Sequence, residues 1–169
     1  SVPMKRCRRG RVPVAIPPGI EEGVRLRLQG QGDAGEPGAP RGDLYCSIRE
    51  VEHKIFQRSG ADLITEIPIA FVQLALGETV EVPTLRGRAE MSIPAGTPTG
   101  KVFRLRGQGL PVFDVHRGRG RGDQLVRVFV EVPKKLTAKQ AELLRELAEI
   151  EEKSSGGASF FDKILAYFN

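Results

Sequence analysis

Along most of this chain apolar and polar residues alternate with a period of two, and only towards the C-terminal end does the spacing lengthen to that of a helix. Val12, Val14 and Ile16 alternate with Pro13 and Ala15 until Pro17-Pro18-Gly19 interrupts the run, which predicts an edge-like strand followed by a turn. Val24, Leu26 and Leu28 face one way and Arg25, Arg27 and Gln29 the other, the alternation of a half-buried strand. Residues 30–42 hold glycine, proline and alanine and predict a long surface loop. A further strand is expected over 44–51, with Cys46 between Leu44 and Ile48 as a small core hydrophobe. His53-Lys54-Ile55-Phe56-Gln57-Arg58-Ser59-Gly60 carries no sustained period, so a first β module, residues 1–58, is expected to close there.

Leu63, Thr65, Ile67 and Ile69 alternate and open a second β module, residues 59–133. Residues 70–76 predict a short helix stopped by Gly77 in the left-handed C-cap conformation. Strands at 79–82 and 88–93 flank Pro83-Thr84-Leu85-Arg86-Gly87 as a hairpin, and strands at 101–106 and 124–132 complete the module. After Pro133 the period changes to about 3.6. Thr137 with Gln140 fits a capping box, and Leu143, Leu144, Leu147 and Ile150 form one apolar stripe on a helix running to Lys153. A flexible joint, Ser154-Ser155-Gly156-Gly157, leads to a last short helix capped by Ser159, with Phe160, Phe161, Ile164, Leu165 and Phe168 on one face. So short a helix is unstable alone in water and must dock its apolar face. It either folds back on its own module or meets a second copy of the chain. Residues 134–169 therefore read as C-terminal helices, and the residues alone leave both dockings open.

The two modules share one phrase. Ile16-Pro17-Pro18-Gly19, Gly23, Leu26-Arg27-Leu28, Gly30-Gln31-Gly32 and Gly42-Asp43 return as Ile93-Pro94-Ala95-Gly96, Gly100, Phe103-Arg104-Leu105, Gly107-Gln108-Gly109 and Gly122-Asp123. A duplicated module without obvious catalytic side chains points to a surface presented twice rather than a pocket built once. The Gly-Gln-Gly elements are followed neither by Gly-Lys-Ser/Thr nor by an immediate helix, so they read as turns after a strand and not as phosphate loops.

Composition narrows the chemistry. The 169 residues carry 26 Lys and Arg against 21 Asp and Glu, a net charge of +5 that suits nucleic acid, an acidic protein tail, anionic lipid or a merely soluble basic surface. The Arg-Gly tract from His116 to Gly122 resembles single-strand-binding tracts, but no Trp occurs in the chain and neither Tyr lies nearby, so nucleic acid is not expected as a partner. The alternative function, a basic nucleic-acid-binding β protein, would use Arg104, Arg106, Arg117, Arg119 and Arg121. Two cysteines, Cys7 and Cys46, cannot supply a zinc site, and His53 and His116 have no nucleophile or carboxylate pattern beside them. Neither metal nor cofactor nor enzymatic activity is expected. No run approaches the roughly 18 apolar residues that span a bilayer, and residues 1–11 lack a signal-peptide core, so the expectation is no membrane and a cytoplasmic or organelle-matrix location.

Many spaced motifs then agree with one family. Val14-Ala15-Ile16-Pro17-Pro18-Gly19 with Gly23, Arg27, Gly30 and Gly32, then Gly42-Asp43-Leu44-Tyr45, then His53-Lys54-Ile55-Phe56 with Arg58, Gly60, Asp62 and Leu63 resemble the C-terminal region of DnaJ-type J-domain co-chaperones. The likeness continues through Ile67-Pro68-Ile69, Ala75-Leu76-Gly77, Val82-Pro83-Thr84-Leu85, Ile93-Pro94-Ala95-Gly96-Thr97 and Gly122-Asp123, and ends at Ser159-Phe160-Phe161-Asp162. The resemblance implies a mainly β fold, two tandem β-sandwich-like modules with short helices, followed by a C-terminal helical dimerisation segment.

It also implies a function. The first module would bind exposed apolar segments of unfolded polypeptides along a sheet edge, and the protein would deliver them to a DnaK-type chaperone as a homodimer. Val12, Val14 and Phe56 match the client groove, and Phe160, Phe161, Ile164, Leu165 and Phe168 the dimerisation face. The family's His-Pro-Asp J domain and its Cys-X-X-Cys-X-Gly-X-Gly zinc repeats are absent from these residues, as are one or two strands that the family places before the zinc region. A chain like this is expected not to stimulate ATP hydrolysis, and its first module to be incomplete.

Overall fold

A computed structural model describes residues 11–112 and 120–154. Phe160, Phe161, Ile164, Leu165 and Phe168, and with them His116, Arg117 and Arg119, lie outside the described residues. The molecule divides into two compact units between Glu131 and Val132. The first is mainly β, built of open sheets with one short helix; the second contains one long helix.

β1 (Arg25–Leu28) and β2 (Leu44–Ser47) form an antiparallel pair with Leu26 opposite Cys46 and Leu28 opposite Leu44. Leu26, Leu28, Cys46 and Ile48 are half-buried, and among the described residues in this part of the chain only Ile20 is buried. β3 (Phe56–Ser59), β4 (Asp62–Ala70), β7 (Val102–Leu105) and β8 (Gln124–Glu131) make a four-stranded sheet in the order β3-β4-β8-β7, in which β4 and β8 run parallel. β5 (Glu78–Thr84) and β6 (Gly87–Ile93) pair as a hairpin whose turn is only Leu85-Arg86. α1 (Phe71–Leu76) joins β4 to this hairpin. The core collects Ile69, Leu74, Val82, Met91, Ile93, Val126 and Val128 from β4, α1, β5, β6 and β8, so nearly all fully buried apolar area belongs to the second repeat.

Gln124 sits wholly inside this core. Its amide donates to Thr65 Oγ1 (3.1 Å) and to the Pro83 carbonyl (2.9 Å), tying β8 to β4 and β5.

The repeated phrase builds the same hairpin twice. β7 lies on β8 as β1 lies on β2, and in each copy an aspartate clamps the turn. Gly30 N–H donates to Asp43 Oδ1 (2.9 Å) and Gly107 N–H to Asp123 Oδ1 (2.8 Å). Gly32 N–H meets the Gly42 carbonyl at 2.8 Å, and Gly109 N–H the Gly122 carbonyl at 2.9 Å. The two glycines of each Gly-Gln-Gly serve different needs. Gly30 and Gly107 both take φ +68°, where a Cβ is strained, whereas Gly32 and Gly109 lie so close to the returning strand that a Cβ would sit 2.7 Å from the Asp43 carbonyl oxygen and 2.5 Å from the Gly122 carbonyl carbon. The copies differ at the other edge: β8 takes β4 in parallel, while among the described residues β2 pairs with β1 alone.

Three local expectations need correction. Residues 11–16 keep the alternating burial of Val12 and Val14 but form no strand, since Pro13 and Pro17 have no N–H to give a ladder. Residues 56–59, read as aperiodic, are β3: Phe56 and Arg58 both turn inward, and an arginine at an inward position hides the alternation. Gly77 ends α1 with φ +79° and ψ 143°, outside the left-handed helical region, because its backbone runs against Ile93 and Ala95 of the β6 end.

In the second unit α2 (Ala138–Ser154) begins as its capping box requires. Thr137 N–H donates to Gln140 Oε1 (2.9 Å), and Gln140 N–H donates back to Thr137 Oγ1 (3.3 Å). Its stripe of Leu143, Leu144, Leu147 and Ile150 is exposed. No helix among the described residues is long and apolar enough to cross a membrane.

Candidate functional site

A cavity of about 560 Å³ opens beside β3. Its apolar lining comes from five places in the chain: Val51 between β2 and β3, Phe56 in β3, Leu63 in β4, Leu85 at the tip of the β5–β6 hairpin and Leu110 in the loop after β7. Around these stand Glu22, Glu50, Glu52, His53, Gln57 and Arg58. Three of the four residues of β3 therefore line the cavity, and β3 is an edge strand of its sheet.

Two side chains hold Phe56 and its strand in place. The His53 ring stacks on Phe56 with centroids 5.1 Å apart, and its Nδ1 accepts the N–H groups of Ile55 (3.2 Å) and Phe56 (3.3 Å). The histidine thus replaces a backbone acceptor at the entry to β3 and fixes the ring that floors the cavity. Arg58 reaches in the other direction. Its Nη1 donates to the Ile20 carbonyl (2.8 Å), its Nη2 to the Gly19 carbonyl (2.9 Å) and its Nε to the Gly60 carbonyl (2.8 Å). The planar guanidinium can serve three carbonyls at once, so one side chain ties the turn after residues 11–18 to the edge of the four-stranded sheet.

Of the expected groove residues, Phe56 lines the cavity, while Val12 and Val14 are half-buried and stand outside its lining. Leu63, Leu85 and Leu110 were not anticipated. A signal existed for two of them: Leu85 is an apolar residue at a hairpin tip, and Leu110 occupies the place that Asp33 takes in the first copy of the repeat.

Two arginines of the basic alternative have partners in the fold. Arg104 lies 3.6 Å from Asp123, Arg121 donates to the Gly109 carbonyl (2.8 Å), and the N–H groups that a phosphate would need at Gly30 and Gly107 are held by Asp43 and Asp123. Asp43 is held below the ordinary carboxylate range, first by the Gly30 N–H and then by Arg27, whose guanidinium lies 2.6 Å away. Cys46 is half-buried, and among the described residues no three His, Cys, Asp or Glu side chains are grouped to hold a metal ion.

Comparison with known proteins bears on nearly all of the first unit. Residues 4–133 match the family described as the DnaJ C terminal domain. The chain belongs to that family. It is 52% identical over 155 residues to the chaperone protein DnaJ of Desulfitobacterium hafniense, covering 90% of this chain and 40% of the relative. It is 50% identical over 158 residues to that of Rhodopirellula baltica, covering 92% of this chain and 40% of the relative. With the DnaJ of Halalkalibacterium halodurans it shares 48% identity over 167 residues, 95% of this chain and 43% of the relative. The chain thus spans less than half the length of these DnaJ chaperones. Among the described residues, the cavity beside β3 joins an apolar side chain, Phe56, to a strand at the edge of its sheet.

Proposed function

We propose that this DnaJ C-terminal region binds exposed apolar segments of unfolded polypeptides at the cavity beside β3, without catalysis, and passes them to a DnaK-type chaperone. One observation carries the reading: a cavity with five apolar lining residues, one of which, Phe56, belongs to an edge strand. Main-chain groups along an edge accept an extended peptide of almost any sequence, and an adjoining pocket selects a large apolar side chain. Phe56 is the anchor, and Val12 and Val14 contribute less because they stand outside the lining.

The test is titration of the chain with a peptide carrying one central Leu or Phe. Phe56→Ala should weaken binding roughly 10-fold or more, in proportion to the apolar contact removed, with Phe56→Leu between the two. Undiminished binding by a folded Phe56→Ala variant would overturn the reading.

The C-terminal segment is proposed to join two copies through Phe160, Phe161, Ile164, Leu165 and Phe168. Sedimentation of a chain ending at Lys153 should give half the mass of the full chain, and an equal mass would reject the dimer.

A further inference from the structure

We infer that the cavity prefers clients whose apolar anchor is flanked by lysine or arginine, because its mouth is acidic on a protein that is basic overall. The inference rests on the client-binding reading above. Glu22, Glu50 and Glu52 all border the cavity, against one cationic side chain, Arg58. That cation is committed: its three donor nitrogens face the carbonyls of Gly19, Ile20 and Gly60, and its carboxylate neighbour is Glu50 at 3.6 Å. Glu22 and Glu52 are exposed and make no ion pair among the described residues. A peptide whose central side chain enters between Phe56, Leu63, Leu85 and Leu110 therefore brings its neighbouring residues to two unpaired carboxylates.

The whole-chain charge argues the opposite way. At +5 the protein repels a lysine-bearing peptide at long range and attracts an acidic one. A preference for basic flanks can thus arise only from the local field of the mouth, acting within a Debye length of about 8 Å at physiological salt. Each exposed carboxylate–ammonium contact amounts to roughly a 1.4- to 5-fold change in affinity. Two such contacts predict that a lysine-flanked peptide binds about 2- to 25-fold tighter than its glutamine-flanked counterpart at low salt.

The experiment uses the full chain and three peptides with one apolar core, flanked by Lys, Gln or Glu, titrated at low and high salt, with the Glu22→Gln, Glu52→Gln double variant and Phe56→Ala alongside. Glu50 is left in place because it neighbours Arg58. The expected result is the order Lys, Gln, Glu at low salt, compressed at high salt and abolished in the double variant. Equal affinity for all three peptides, or an order that survives the double substitution, overturns the acidic-mouth inference while Phe56→Ala sensitivity leaves the client site standing. Failure of Phe56→Ala to weaken any of the peptides overturns the client site itself.

Discussion

Replacing Arg58 should loosen the first repeat from the sheet that carries Phe56. The side chain is 17% exposed and makes three charge-assisted hydrogen bonds, of which the one to Gly60 is local to its own turn and those to Gly19 and Ile20 cross to another part of the chain. A hydrogen bond to a charged group contributes roughly 1.5–3 kcal/mol net when its partner would otherwise be left unsatisfied. The Ile20 residue is buried, so its carbonyl gains little from water after the loss, whereas Gly19 is only half-buried and its carbonyl recovers part. Arg58→Met, which keeps the aliphatic stem and removes the donors, should therefore cost about 2–4 kcal/mol. With a urea m-value near 2 kcal/mol per M, that lowers the midpoint by about 1–2 M. Glu50 at 3.6 Å and 41% exposed adds little to this sum, as exposed ion pairs do.

Arg58→Lys separates geometry from charge. One ammonium on a flexible stem cannot span three carbonyls, so lysine should restore less than half of the lost stability. Peptide affinity should fall in the same order, because the tether and Phe56 share one short strand. Urea titration of the three proteins, with m compared throughout, decides it. Lysine matching arginine, or methionine within about 0.5 kcal/mol of wild type, would refute the tether.

Two further outcomes follow from the duplicated turn. Gly109→Ala places a Cβ 2.5 Å from Gly122 C and 2.6 Å from the Ala61 oxygen, all backbone, and should cost about 3 kcal/mol; Gly107→Ala meets no atom within 4 Å and should cost only the strain of its positive φ, about 1–2 kcal/mol. Thermal melts of the pair check the order, and a milder Gly109→Ala would show that the strand return can give way. At Asp43 the folded pKa lies below the ordinary 3.8, so the carboxylate's contribution is complete above that value and is lost as pH falls through the depressed one. The stability gap between wild type and Asp43→Asn should accordingly be constant near neutrality and close in acid, as read by urea midpoints at pH 7, 4 and 3; a gap independent of pH would refute the assignment.

What the sequence disclosed, and what it withheld, divides along the range of the interactions involved. The β1 alternation, the hairpin at Leu85-Arg86, the capping box of Thr137 and Gln140 and the Gly-Gln-Gly turns are all settled by neighbours a few residues apart, and each was readable in the order of residues. β3 was not, because its inward arginine is stabilised by carbonyls 38 and 39 residues away, and without knowing those partners a charged residue reads as exposed. The parallel pairing of β4 with β8 joins residues 61 apart, such as Leu63 with Gln124, and no local pattern fixes a register over that distance. The cavity is an extreme case of the same limit. Phe56 could be named through the family's His-Lys-Ile-Phe element, but Val51, Leu63, Leu85 and Leu110 become one surface only when β3, β4, the hairpin tip and the loop after β7 are brought together. The charge at its mouth was hidden for the opposite reason: Glu22, Glu50 and Glu52 look like ordinary solvated residues one by one, and the net +5 of the chain points away from an acidic site. Local chemistry therefore sets the scaffold, while the cavity proposed to bind clients is built from contacts that exist only after folding.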